Sequence, residues 1–481
     1  MFELSLNLSD PSKDSYYFPI LIAIALILVI INLLLIYVKE IKNESNTEGN
    51  VSMDRTLDNN RTYPSILETN KKNLRIKYLV AYTITRSAMW AKAPYIYTLF
   101  MTLQKFSFAE IGDLYLIDAV AALIFGPITG QLADRYGRRK LCNFYNITII
   151  LNILLRMEGS KVLAYVAQIV TGMAAGLINT TFEAWLVYES DKAFGGFKKE
   201  AERYRKRLFK DINLYDVYIS IITSFSCAFI YSYLGIFAPF WVSIILTAIA
   251  FFVIFFTWEE NIPLIPRGMS TWDQVKEACL EFKKVDVTCI GLIEGIAFAC
   301  LNIFLFSWTP ILKQSTPGGM NVGFIFTCMV LCMIVGTKMY HMFIILLQWD
   351  YYKSIAGAMF LQGLLMYLIY LVDGFLPRMI FLALFNGVTG FYNPLNSIVK
   401  SVILIEKYRA LLMNIFRIPL NFYVIIVLLT LRMMNPFIVA FINGTMCFVA
   451  FLIGLFLVIY LKTHPNREEE IDNNILFIDA Q

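Results

Sequence analysis

The feature that most constrains this chain is a run of apolar residues longer than about 18 that recurs along its whole length. A helical segment of that length crosses about 30 Å of hydrocarbon, and the helix satisfies every backbone polar group within one segment. The expected fold class is therefore an all-α polytopic membrane protein. Composition agrees, since 58% of the 481 residues are apolar and only 16% are charged.

Apolar windows predict an isolated first helix at Tyr16 to Val38, which with its leading residues forms the segment 1–38. Twelve more follow at 78–101, 111–132, 141–157, 162–188, 212–233, 236–258, 287–311, 321–343, 354–372, 376–399, 410–431 and 436–461. The first run is too long for a signal-peptide core and lacks a small-residue cleavage site. Lys39 and Lys42 follow it while only Lys13 precedes it, so it is expected to remain as an anchor with its N-terminus outside.

Basic residues test this topology, because Lys and Arg collect in cytoplasmic loops. The segments assigned inside carry 31 of the 41, the outside segments carry 7, Arg156 among them, and 3 (Arg86, Lys92, Arg417) fall within helices. A wrong helix count would scramble that alternation. Thirteen spans, the N-terminus outside and a cytoplasmic tail at 462–481 follow. Asn7-Leu8-Ser9 then lies on the outer side, where glycosylation is possible.

Two internal loops divide the chain. Residues 39–77, rich in Asn, Ser and Thr, read as a cytoplasmic linker. Residues 259–286 separate a six-helix bundle at 78–258 from a second at 287–461. Within that loop Trp272, Val275, Cys279 and Phe282 recur at helical spacing opposite Asp273, Lys276, Glu277 and Lys283, the pattern of an amphipathic helix on the inner leaflet. With two histidines and eight cysteines mostly inside apolar runs, a metal centre or disulfide framework is not expected, and no cofactor is called for. A net charge of +5 is too weak to suggest nucleic acid.

An ionisable side chain at the bilayer centre costs roughly 2.5 to 3.5 kcal/mol on insertion scales, so each is a candidate for function. Here they are Arg86, Lys92, Asp118, Glu183, Glu294 and Arg417. For Lys92, Glu183, Glu294 and Arg417 two readings stand, solute contact or structural ion pairing. Arg86 and Asp118 are expected to pair across the first two bundle helices, and Asp216, in the first turn of the fifth predicted span, reads as a helix-dipole partner. Basic groups in a dehydrated cavity suit an anion, and Arg suits an oxyanion because its fork donates two hydrogen bonds. Burial disfavours the ionised form of a carboxylate, so Glu183 or Glu294 suits coupling to a proton.

Between the second and third bundle helices stands GQLADRYGRRK, Gly130 to Lys140. It resembles the signature loop of the major facilitator superfamily, G-x-L-x-D-R-x-G-R-[KR], at the expected place. Gly130 permits close helix approach, Gly137 a tight turn, and Asp134 sits among Arg135, Arg138 and Arg139. The resemblance implies the major facilitator fold, six plus six helices here preceded by an extra one, with this cluster latching the inner gate. The matching stretch of the second half, Gly336 to His341, is degenerate.

Short blocks further resemble the eukaryotic molybdate-anion transporters of that superfamily. They are WAKAPYIY from Trp90, Phe182-Glu183-Ala184-Trp185, Trp308-Thr309-Pro310, Gly390-Phe391-Tyr392-Asn393-Pro394 and Asn414-Ile415-Phe416-Arg417-Ile418-Pro419. The resemblance implies a carrier of molybdate or a similar oxyanion, with Glu183, Glu294 and Arg417 at polar positions of the family pattern; Lys92, Tyr95, Tyr392 and Asn393 complete the expected substrate-binding set. Trp90, Trp185 and Trp308 read equally as packing aromatics, and the prolines as helix kinks. Departures stand beside it: Met89 where the family tends to have Asp, Lys92 where it has Gln, and Gln168 where it has Arg.

The expected function is transport of a small oxyanion by alternating access, by a monomer in the plasma membrane more than an internal one. The alternatives are a carrier of a sugar or organic anion, and a receptor or scaffold whose loops 39–77 and 189–211 bind cytosolic partners. The chain has no G-x-x-x-x-G-K-[ST] loop and no recognisable spacing of nucleophile, base and acid, so neither a pump nor an enzyme is expected.

Overall fold

The computed structural model describes residues 65–195, 198–261, 280–315, 320–403 and 435–464, with 412, 416, 422–427 and 429 between the last two. The extra helix at 16–38, the linker before residue 65, most of the amphipathic segment and the tail lie outside the described residues. Among those described there is no strand. The helices are α1 (Ser65–Lys92), α2 (Ile96–Thr102), α3 (Phe108–Tyr136), α4 (Arg138–Met157), α5 (Lys161–Ala193), α6 (Lys198–Leu234) and α7 (Ala238–Thr257). After the inter-bundle loop come α8 (Val285–Ser315), α9 (Val322–Tyr340), α10 (Tyr351–Leu371), α11 (Phe375–Ile403) and α12 (Pro436–Thr463). Eight helical stretches among the described residues, the earliest beginning at Lys161, are long and apolar enough to cross a membrane by length and composition.

Local chemistry sets the ends. Ser107 and Glu110 form a reciprocal capping box on α3: the Ser107 amide donates to Glu110 Oε2 at 2.8 Å and the Glu110 amide to Ser107 Oγ at 3.3 Å. Asp350 caps α10 through the Lys353 amide at 2.8 Å, and Asn435 caps α12 through the Phe437 amide at 3.3 Å. Pro94 has no amide hydrogen to donate, and the first span breaks there into the 3₁₀ turn Ala93–Tyr95 between α1 and α2. Pro310 and Pro394 instead lie inside continuous helices, and Pro419 lies outside the described residues.

The helices divide into two compact units, one within Ile36–Pro266 plus Asn321–Thr327, the other within Arg267–Met320 plus Cys328–Gln481. In the first, α1 packs on α6 and α7, α4 on α5 and α7, and α3 on α5. In the second, α8 packs on α12, and α10 on α11 and α12. The pairings of the first span with the last, the third with the last and the third with the fourth thus recur, as an internal repeat requires. Trp241, Ile245, Ile249, Phe252 and Phe256 are all exposed along one stripe of α7. That stripe is a lipid-facing surface, with Ser243, Thr247, Ala250 and Ile254 buried behind it.

Candidate functional site

The inward-facing chemistry of the first unit begins at the broken first span. Lys92 closes α1 at the edge of the 3₁₀ turn and is 6% exposed. Its Nζ has no hydrogen-bond partner among the described residues, and neither has the hydroxyl of buried Tyr95. Six residues earlier, Arg86 grips Asp216 of α6 with two hydrogen bonds of 2.5 Å, and Trp90 Nε1 adds a third at 3.1 Å. The expected Arg86–Asp118 pair is therefore corrected: α1 packs on α6, which brings Asp216 to the guanidinium. Because α6 begins at Lys198, Asp216 lies in mid-helix and not in a first turn.

Asp118 belongs to a different cluster, within electrostatic reach of Arg156. Arg156, in the last turn of the predicted span 141–157, is counted from sequence with the outer basic residues, but its side chain turns inward from α4 and is 2% exposed. Its Nη2 donates to Gln168 Oε1 at 2.8 Å and Thr171 Oγ1 at 2.6 Å, both on α5. Phe100 lies under the guanidinium at 5.4 Å. Lys92 is within the electrostatic reach of the same arginine.

Glu183 does not join this cluster. Its side chain is accessible on α5. Its neighbour Trp185 packs as a core aromatic, stacked on Trp258 at 3.8 Å and donating to the Glu259 carbonyl at 2.9 Å.

The second unit has a cavity of about 80 Å³ lined by Glu294, Gln362, Thr389, Tyr392 and Asn393 together with apolar groups. Three of the expected site residues thus share one wall. Glu294 is buried and ion-paired: Lys400 Nζ donates to Oε1 at 2.8 Å and the Asn396 amide to Oε2. Lys400 reads from sequence as a cytoplasmic loop residue, yet α11 extends through it to Ile403. Gln362 Nε2 donates to Thr389 Oγ1 at 2.9 Å, and the buried Tyr392 hydroxyl is without a partner among the described residues. Arg417 lies outside the described residues.

The signature loop forms the junction of α3 and α4. Gly137 sits there at φ +102°, where an L side chain is strained, and a Cβ would collide with Glu260 Oε1. Glu260, just beyond α7, occupies that space because its carboxylate caps α4, accepting from the Arg139 amide at 3.0 Å and the Lys140 amide at 3.3 Å. Sequence reading missed Glu260, whose partners are 120 residues away. Arg139 reaches the same carboxylate at 3.8 Å, Arg138 Nη1 donates to the Ala184 carbonyl at 2.7 Å, and Arg135 is exposed. Gly130 lies within α3, and the Asp134 side chain is outside the described ones. In the second unit no such break follows α9, which winds on into a π turn at His341–Leu346.

The broken first span, the signature loop and the recurring helix pairings coincide with a family match. A family model described as sugar transporters with twelve transmembrane spans matches residues 55–381. The chain belongs to the major facilitator superfamily. Within the superfamily it is similar to a molybdate-anion transporter of Takifugu rubripes, 25% identical over 398 residues, covering 75% of this chain and 80% of the relative. A molybdate-anion transporter of Xenopus laevis is 22% identical over 403 residues, 80% and 85% of the two chains. Among solved structures, a mutant of the nucleoside transporter NupG aligns at a TM-score of 0.62 and 14% identity, over 81% of this chain and 99% of that one. An auto-inhibited peptide transporter of the POT family aligns at 0.62 and 12% identity, over 81% and 96%. These solved transporters share the fold, and the transport class comes with the family.

Proposed function

We propose that this chain is a secondary carrier of a small oxyanion of the molybdate type, moved by alternating access between its two bundles. The observation that carries the reading is Lys92: a buried ammonium with three donors, at a helix break, and no partner among the described residues. Such a group suits an anion that arrives and leaves better than a permanent counter-ion. The molybdate-anion transporters among its relatives support the same chemistry. Tyr95 joins Lys92 on the first-bundle side, and Glu294, Tyr392, Asn393 and Arg417 are the proposed second-bundle contributors, with Glu183 at the periphery. The loop of Gly130, Asp134, Arg135, Gly137, Arg138 and Arg139 is the proposed inner gate. Proton coupling, through Glu183 or Glu294, belongs to this reading.

Uptake of radiolabelled molybdate into transporter-deficient cells tests it, with sulfate and tungstate as competitors. Saturable uptake is expected, lost in Lys92→Ala. Absence of uptake from a chain shown to reach the surface overturns molybdate as the solute. A second reading, a carrier of a neutral polyol or sugar, is favoured by the amide and hydroxyl lining of the second-unit cavity, Gln362, Thr389, Tyr392 and Asn393. It predicts that labelled hexose is taken up and that Lys92→Ala leaves that uptake intact.

A further inference from the structure

Lys92 is not alone in the first unit. Arg156 brings a second cation, and its Nε, like Lys92 Nζ, is buried without a partner among the described residues. The carboxylate within electrostatic reach of Arg156 is Asp118 on α3, half-buried. Two cations and one carboxylate leave an excess of one positive charge inside the bundle. Uncompensated charge in a low-dielectric interior is costly, and unmet N–H donors add to that cost. In the second unit, by contrast, the buried Glu294 carboxylate has the Lys400 ammonium against it at 2.8 Å.

Resting on the carrier reading above, we propose that Arg156 is a further binding residue, forming with Lys92 an oxyanion site in the first unit whose excess charge is set by Asp118. Gln168 and Thr171 accept from one terminal nitrogen, Nη2, and so fix the guanidinium plane. The remaining donors, Nε among them, are left for the oxygens of a tetrahedral dianion, with Lys92 supplying a point charge. Asp118 cancels one of the two positive charges. It thereby weights the site against over-tight retention of a dianion, which a carrier must release.

The test is binding of molybdate, sulfate and nitrate by the purified full chain in lipid nanodiscs, measured calorimetrically, with size-exclusion profiles as the check on folding. Arg156→Gln is expected to weaken molybdate and sulfate binding by about tenfold or more, as loss of a charged hydrogen-bonding partner does. Exchanging the pair, Arg156→Gln with Gln168→Arg, returns a guanidinium to the same place from the neighbouring helix, and is expected to restore binding. Asp118→Asn raises the charge excess and is expected to increase the preference for sulfate over nitrate, a shift that a purely structural role would not produce. Equal affinity in wild type and a folded Arg156→Gln overturns the proposal while leaving the carrier reading standing. Should Arg156→Gln not fold, an unchanged sulfate-to-nitrate ratio in Asp118→Asn overturns it instead. If wild type binds no oxyanion, the carrier reading fails first.

Discussion

Replacing Lys400 by methionine removes the ammonium that ion-pairs with the buried Glu294 carboxylate. Breaking a buried pair in this way costs about 3 kcal/mol or more, whereas replacing both partners is close to neutral. Lys400→Met is therefore expected to lower the melting temperature in detergent, and Glu294→Gln in the same chain to restore most of it; additive losses would mean that the pair is not coupled. Gly137→Ala is expected to cost about 2 kcal/mol, because it meets both a positive φ and the Glu260 carboxylate. Restoration by Glu260→Ala would show that collision with the carboxylate outweighs the backbone conformation. At this scale the sequence was informative where a charge interrupts an apolar run, as at Lys92 and Glu294. It misled at the ends of runs. Arg156 and Lys400 each stand at a span boundary, where a charge reads as loop, although both side chains turn back into the bundle. A usable signal existed for Arg156: Phe144, Ile147, Leu151 and Leu154 form the exposed stripe of α4, and at about 100° per residue Arg156 falls on the opposite face.

Among the elements, the first turns of α3 and α5 are tied by Lys161 and Glu110, 2.6 Å apart and open to solvent at 46% and 34%. The Lys161 hydrogen bond, aided by the Ser107 amide, holds the Glu110 carboxyl down at about 2, from an ordinary value of 4.5. A depressed folded value means that the pair stabilises above the unfolded pKa, near 4.5, and that this contribution fades as pH falls toward 2. Screening of so exposed a pair keeps its contribution below about 1 kcal/mol. The difference in melting temperature between wild type and Glu110→Gln is thus expected to be small at pH 7 and to shrink below pH 4.5. A difference that grows with acidity would contradict the pairing. Helix positions were legible from run length alone: 436–461 is observed as Pro436–Thr463, and 236–258 as Ala238–Thr257. Where the sequence reading fell short was at helix starts such as that of α6, whose charged first turns from Lys198 carry no apolar signal.

For the whole molecule the consequential expectation is orientation. With the N-terminus outside, Asn7 is open to glycosylation, so glycosidase treatment is expected to increase electrophoretic mobility and Asn7→Gln to abolish that change. An epitope at residue 481 is expected to be stained only in permeabilised cells; staining of intact cells would invert the topology. The repeat of helix pairings between the units could not be read from residues, since the two halves differ most where the signature loop of one is a π turn in the other.

The placement of polar groups early in the first unit has a consequence for how the protein is made. Lys92 and Arg156, both buried, arrive on α1 and α4, and half-buried Asp118 on α3, all of which emerge from the ribosome before α5. A translocon that released each segment as it arrived would leave these charges in lipid before the groups that receive them exist. Integration is expected to wait for α5, whose Gln168 and Thr171 receive Arg156, so that the four leave as a group. In nascent chains stalled before residue 161, a photocrosslinker on α3 should then label the translocon, and in chains stalled beyond residue 230 the same probe should label lipid.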